Sequence, residues 1–113
     1  MSPDGIAVAF QIKRPKITQY LLNLESPRGA SKAKYLMGFG FTLDDPDTLA
    51  SALVEHAMRN LPGAGSVSQI GVPVVVFEGT VTAPDGREMP LRTVWEPREP
   101  FEMHFVTAVP LTR

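Results

Sequence analysis

Four residues, Pro84-Asp85-Gly86-Arg87, separate two runs rich in β-branched and aromatic side chains, Val74–Ala83 and Glu88–Trp95. So short a link permits only an antiparallel pair, because parallel strands need a long crossover. Pro84 presets φ for a turn, Asp85 can bond its own backbone, and Gly86 can take a positive φ. A third run of the same character, Phe101–Val109, follows. Ser66–Val72 is a weaker, edge-like strand, with Pro73 after it.

Upstream the periodicity changes. Ile6, Val8, Phe10 and Ile12 alternate, which predicts a strand ended by Pro15. Ile17, Tyr20, Leu21 and Leu24 recur at helical spacing, and Ala30–Gly38 carries Ala30, Ala33, Leu36 and Met37 on one face. Ser26-Pro27-Arg28-Gly29 between them is a turn. The best-defined helix is Asp47–Asn60: Asp45 is suited to cap it, Pro46 to open it and Asp47 to the positive end of its dipole. Leu49, Ala50, Leu53, Val54 and Ala57 form its apolar face, and Leu61-Pro62-Gly63 stops it. The order predicts an α+β domain over 1–113: an N-terminal strand and short helices, then a four- to five-stranded antiparallel sheet with helices packed on one face. The other face is then free for ligands.

A chain of 113 residues can bury a sizeable core without staples. There is no cysteine, hence no disulfide, thiol nucleophile or cysteine–zinc site, and two histidines make a poor transition-metal set. No cofactor is expected. A net charge of -1 announces no global field for nucleic acid or membrane. Ile6–Phe10 is too short for a signal core, so the expectation is a cytoplasmic protein or one exported by a non-Sec route, with no membrane span.

Strand parity divides the side chains. Phe77, Val81, Leu91, Thr93, Trp95, Met103, Phe105 and Thr107 are expected to face the helices. Glu78, Thr80, Thr82, Arg92, Glu96, Glu102 and His104 then lie on the open face, and a bulge at Gly86 would flip one arm. His56 lies just outside the apolar stripe of its helix and is expected to be half-buried, where a neighbour can tune it. Arg28, Lys32 and Lys34 form a basic cluster beside a glycine-containing turn. Trp95, the sole tryptophan, suits a core position.

Gly29-Ala30-Ser31-Lys32-Ala33-Lys34, Gly38-Phe39-Gly40-Phe41, Glu55-His56-Ala57, the segment Thr80–Arg87, Arg92-Thr93-Val94-Trp95 and Phe105-Val106-Thr107-Ala108-Val109-Pro110 occur in that order. Over residues 16–110 this resembles a small bacterial family of unknown function, found alone and as C-terminal domains of polymorphic and phage-head-linked toxins. The family is distantly similar to the barnase/colicin/RelE-like ribonucleases, whose antiparallel sheet grips RNA without a metal. The resemblance implies functional positions at Lys32, His56, Arg92, Trp95 and Thr107; the basic cluster adds Arg28 and Lys34 to Trp95 as substrate-binding candidates. The family usually ends the last motif with a tyrosine, where this chain has Val109. His104 is the second-choice histidine. The N-terminal strand falls outside the resemblance.

The reading that results is a toxin-like, metal-independent ribonuclease that cuts by 2′-hydroxyl attack, with an immunity protein as partner, monomeric or a small homo-oligomer. A non-enzymatic protein-binding module of a toxin–immunity system, and an RNA-binding domain without cleavage, stand beside it.

Overall fold

The computed structural model describes residues 8–111. Five strands form one sheet in the order β1-β5-β4-β3-β2: β1 Ala9–Gln11, β2 Ala64–Val67, β3 Pro73–Thr82, β4 Glu88–Arg98 and β5 Glu102–Pro110. β2 through β5 pair antiparallel, as the short links demand. The expected N-terminal strand is there, but it adds to β5 in parallel, Ala9 opposite Glu102 and Gln11 opposite His104. The sheet is therefore mixed rather than wholly antiparallel, since a long helical excursion separates the two strands and permits either direction. Part of that strand, Ile6 and Ala7, lies outside the described residues.

The β3–β4 turn forms at Ala83–Arg87, where Ala83 N–H donates to Arg87 O at 2.8 Å and Gly86 takes φ 92°. The Asp85 carboxylate accepts from Arg87 N–H and from its guanidinium, which hold its pKa below the usual carboxylate range.

Helices cover one face. A short helix α1, Arg14–Lys16, runs on as a wider π-helical turn, Ile17–Leu21; α2 is Ala30–Gly38 and α3 is Pro46–Arg59. Asp45 precedes α3 without capping its amides; its carboxylate instead accepts the Thr48 hydroxyl at 2.6 Å. Ile17, Leu21, Leu36, Leu49 and Leu53 close over Phe77, Val81, Leu91 and Trp95, all at most 2% exposed.

Parity holds along β3 and β4 but breaks in β5. Val94 lies opposite Thr107 and Trp95 opposite Phe105, so Val106 is an extra, unopposed residue. The bulge that forms is here and not at Gly86. One inserted residue flips every side chain beyond it. Phe105 keeps the core side with Trp95, while Thr107 moves to the open face with Val94, and Ala108 takes the buried place (1% exposed).

Candidate functional site

The bulge and the shortness of β1 create the site together. β1 pairs only with Glu102–His104, so the outer edge of β5 beyond Val106 is left to the helical segment. Lys16 Nζ donates to Val106 O there at 3.0 Å, fixing the π-helical turn against the strand. α2 can then approach closely because residue 29 is glycine: a Cβ at that position would lie 2.0 Å from Tyr20 O. One turn into α2, Lys32 reaches both neighbours.

Three side chains from three elements meet at this point. Lys32 Nζ donates to the Tyr20 phenol oxygen and, at 3.0 Å, to Thr107 Oγ1; the Tyr20 and Thr107 oxygens are 3.1 Å apart. Lys32 Nζ also lies 4.8 Å from the Tyr20 ring centroid, and Lys16 Nζ 5.9 Å. Burial alone would raise the Tyr20 pKa. The hydrogen bonds from Lys32 and Thr107, with the charges of Lys32 and Lys16, outweigh it and hold the phenol below its usual value near 10.

The cluster stands where two clefts meet. One is lined by Lys13, Lys16, Gln19, Arg28 and Lys32, and its charged side chains are all cations. The other runs over the open sheet face, with Val74, Val76 and Val94 as its apolar floor and Glu78 and Arg92 beside them. Thr107 and the exposed Gln69 line both. Positive charge is thus concentrated locally despite the chain's net charge of -1.

The candidates read from the sequence divide accordingly. Lys32 and Thr107, 75 residues apart, are in contact, and Arg28 lines their cleft. Arg92 is in the adjoining cleft, its guanidinium held by Glu78 at 2.5 Å. Lys34 is exposed and stands apart from these clefts, two residues and so more than half a turn from Lys32. His104 pairs with Glu102 at 2.7 Å on the other side of the bulge, opposite Glu96. Trp95 is fully buried, its indole in the core.

His56 is corrected most. It is not half-buried but 0% exposed, beneath α3 on the helix-covered face of the sheet. Nε2 lies 2.7 Å from Leu91 O and 3.3 Å from Gly79 O, so it carries the proton and donates; Nδ1 accepts the Thr93 hydroxyl at 3.0 Å. Burial pushes its pKa down, more than the two carbonyls raise it, and Arg59 adds to the lowering. The unfolded chain therefore takes up the proton first as pH falls. The stability that His56 contributes is complete above about pH 6.5 and is lost as pH drops through its lower folded value. Urea midpoints from pH 8 to pH 5 are expected to fall for the wild type, and to fall less for His56→Leu, which has no proton to gain.

The sequence does not mark Tyr20, Lys16 or Gln69 as site residues: Tyr20 reads as part of an apolar helical stripe, although Lys16 and Tyr20, four apart, share a face.

Among the described residues no three His, Asp or Glu stand together as metal ligands, and no helix is long and apolar enough to cross a membrane. The model of a family described as "Domain of unknown function (DUF6883)" matches residues 5–112. It takes in β1, which the resemblance drawn from the sequence left outside. No curated protein matches. Among solved structures, a contact-dependent growth inhibition toxin–immunity protein complex from Klebsiella pneumoniae 342 contains a chain with the same fold, at a TM-score of 0.65 and 13% identity. The match covers 90% of this chain and 93% of that one. The family model agrees with the resemblance to a family of unknown function, and the solved structure shares the fold.

Proposed function

The chain belongs to the DUF6883 family, and on that premise we propose that it is the RNA-cleaving module of a toxin system, acting by attack of the 2′-hydroxyl on the adjacent phosphate. The observation that carries this reading is the Tyr20–Lys32–Thr107 contact at the mouth of a cleft whose charged side chains are cations. Tyr20, its pKa held down, accepts the 2′-hydroxyl proton as phenolate. The 2′-oxygen bonds to phosphorus, the bond to the 5′-oxygen breaks, and the Lys32 ammonium supplies the proton that leaving oxygen needs. Lys16 and Arg28 stabilise the charge that builds on the phosphoryl oxygens, and Thr107 orients them. His56 has no part, since both its nitrogens are committed inside the core.

The base, the acid and the cations of this scheme are all side chains, so cleavage is expected to proceed in EDTA. The product carries a 2′,3′-cyclic phosphate, and DNA of the same sequence resists for want of the nucleophile. The assay is labelled RNA with purified protein in EDTA, read by end-group analysis. A 5′-phosphate on the downstream fragment, or cleavage abolished by chelator, would refute the mechanism. RNA binding without cleavage would leave an RNA-binding domain. Neither binding nor cleavage would leave a protein-binding module, whose partner is an immunity protein.

A further inference from the structure

The ion pair on the open face has a consequence for how RNA enters. Glu78 and Arg92 face each other directly across β3 and β4, and both side chains are about half exposed (48% and 43%). Glu78 Oε2 takes both Nε and Nη2 of Arg92 at 2.5 Å, the place a phosphoryl oxygen would take. Arg92 lies opposite Val109, and Thr107 is two residues away on the same face. Arg92 and Thr107 are thus diagonal neighbours about 7–8 Å apart, the span of roughly one nucleotide. The apolar side chain of Val94, opposite Thr107, fills the interval.

We propose that Glu78 is an internal phosphate mimic: it occupies Arg92 in the free protein, and the backbone phosphate next to the scissile one displaces it. The proposal rests on the reading of this cleft as an RNA site and adds a second phosphate subsite, guarded by a carboxylate. Guarding sets specificity. A mononucleotide anion reaches only the Lys32 cluster and does not repay the Glu78–Arg92 pair, whereas a chain of phosphates does. An exposed pair is weak, so displacement costs little and the effect is modest.

The test reads binding rather than cleavage, with a fluorescent 2′-deoxy tetranucleotide that has no attacking hydroxyl, by anisotropy across a salt series. Glu78→Gln is expected to bind about two- to fivefold more tightly than wild type, the range an exposed ion pair supplies. Its plot of log K against log salt should keep the wild-type slope, because the same phosphate meets Arg92 in both, and Glu78→Gln/Arg92→Gln should lose the gain and flatten the slope by about 0.7, that of one single-strand phosphate contact. An equally labelled mononucleotide should show neither change. Unchanged or weaker binding by Glu78→Gln, while Lys32→Ala still weakens binding, overturns the phosphate mimic and leaves the RNA site standing. No binding by any form, Glu78→Gln included, overturns both. A gain that survives Arg92→Gln reduces Glu78 to a general repulsive charge and also overturns the proposal.

Discussion

Trp95→Ala should lower the free energy of unfolding by about 3–5 kcal/mol, the range for truncating a buried aromatic. The indole is 0% exposed and meets Phe10 and Phe105 edge-on, at centroid distances of 5.1 and 5.3 Å and interplanar angles of 77°. Those two rings belong to β1 and β5, so Trp95, beside the Phe10–Phe77 contact, links the parallel strand pair to the rest of the core. Its position also faces Phe105 at the β5 bulge, where the register that delivers Thr107 to the open face is set. The Nε1–H has no hydrogen-bond partner among the described residues, so truncation loses packing and no hydrogen bond. Trp95→Phe, which keeps a ring and removes that unpaired donor, should therefore cost less than half as much. Urea melts with an unchanged m-value measure both. A loss below about 1 kcal/mol for Trp95→Ala, with RNA binding lost, would make the indole a stacking platform instead.

What could be read in the sequence was what is local. The β3–β4 turn, the limits of α2 and the start of α3 each depend on a few adjacent residues, and all three stand where spacing puts them. The features that build the site depend on distant segments. Nothing near Val106 marks it as the inserted residue, because the bulge exists only relative to β4. Without it, parity sends Thr107 into the core. Nor does Ala9–Gln11 reveal that it will lie parallel to β5 and stop after three pairs, leaving the strand edge to Lys16 and Tyr20. Parity puts Arg92 on the open face and the basic cluster holds Lys32, but their grouping with Thr107 as functional positions comes from the resemblance. His56 was misplaced although a warning was present. Parity put Thr93, a hydroxyl, on the buried face, and a buried hydroxyl needs a partner; His56 is that partner. Helical angle set it outside the apolar stripe, but a sheet broad enough to wrap the flank of α3 covers positions the stripe alone leaves at its border.

Tyr20→Phe should reduce kcat/KM for RNA by about 10²–10⁴-fold, as loss of a general base does, with the fold intact, because the ring stays and only the hydroxyl goes. Lys32→Ala should cost at least as much, since it removes the proton donor and the cation that holds the phenol ready. The pH profile separates these roles from mere packing. A base must be deprotonated to act, so the rate rises with pH through the Tyr20 pKa, which lies below 10 in the wild type. In Lys32→Ala the burial that raises the phenol pKa remains, while the hydrogen bond and charge that lower it are gone. The rising limb must then move to higher pH. Thr107→Val removes one hydrogen bond and no charge, so its limb moves the same way by less. His56→Leu leaves the limb where it was, because His56 reaches neither cleft. Rates measured from pH 6 to pH 10 in EDTA decide it. Tyr20→Phe with activity within about threefold of wild type and the same limb would strike Tyr20 from the chemistry. A limb that vanishes only in His104→Ala would instead transfer the base to the histidine that Glu102 holds beyond the bulge.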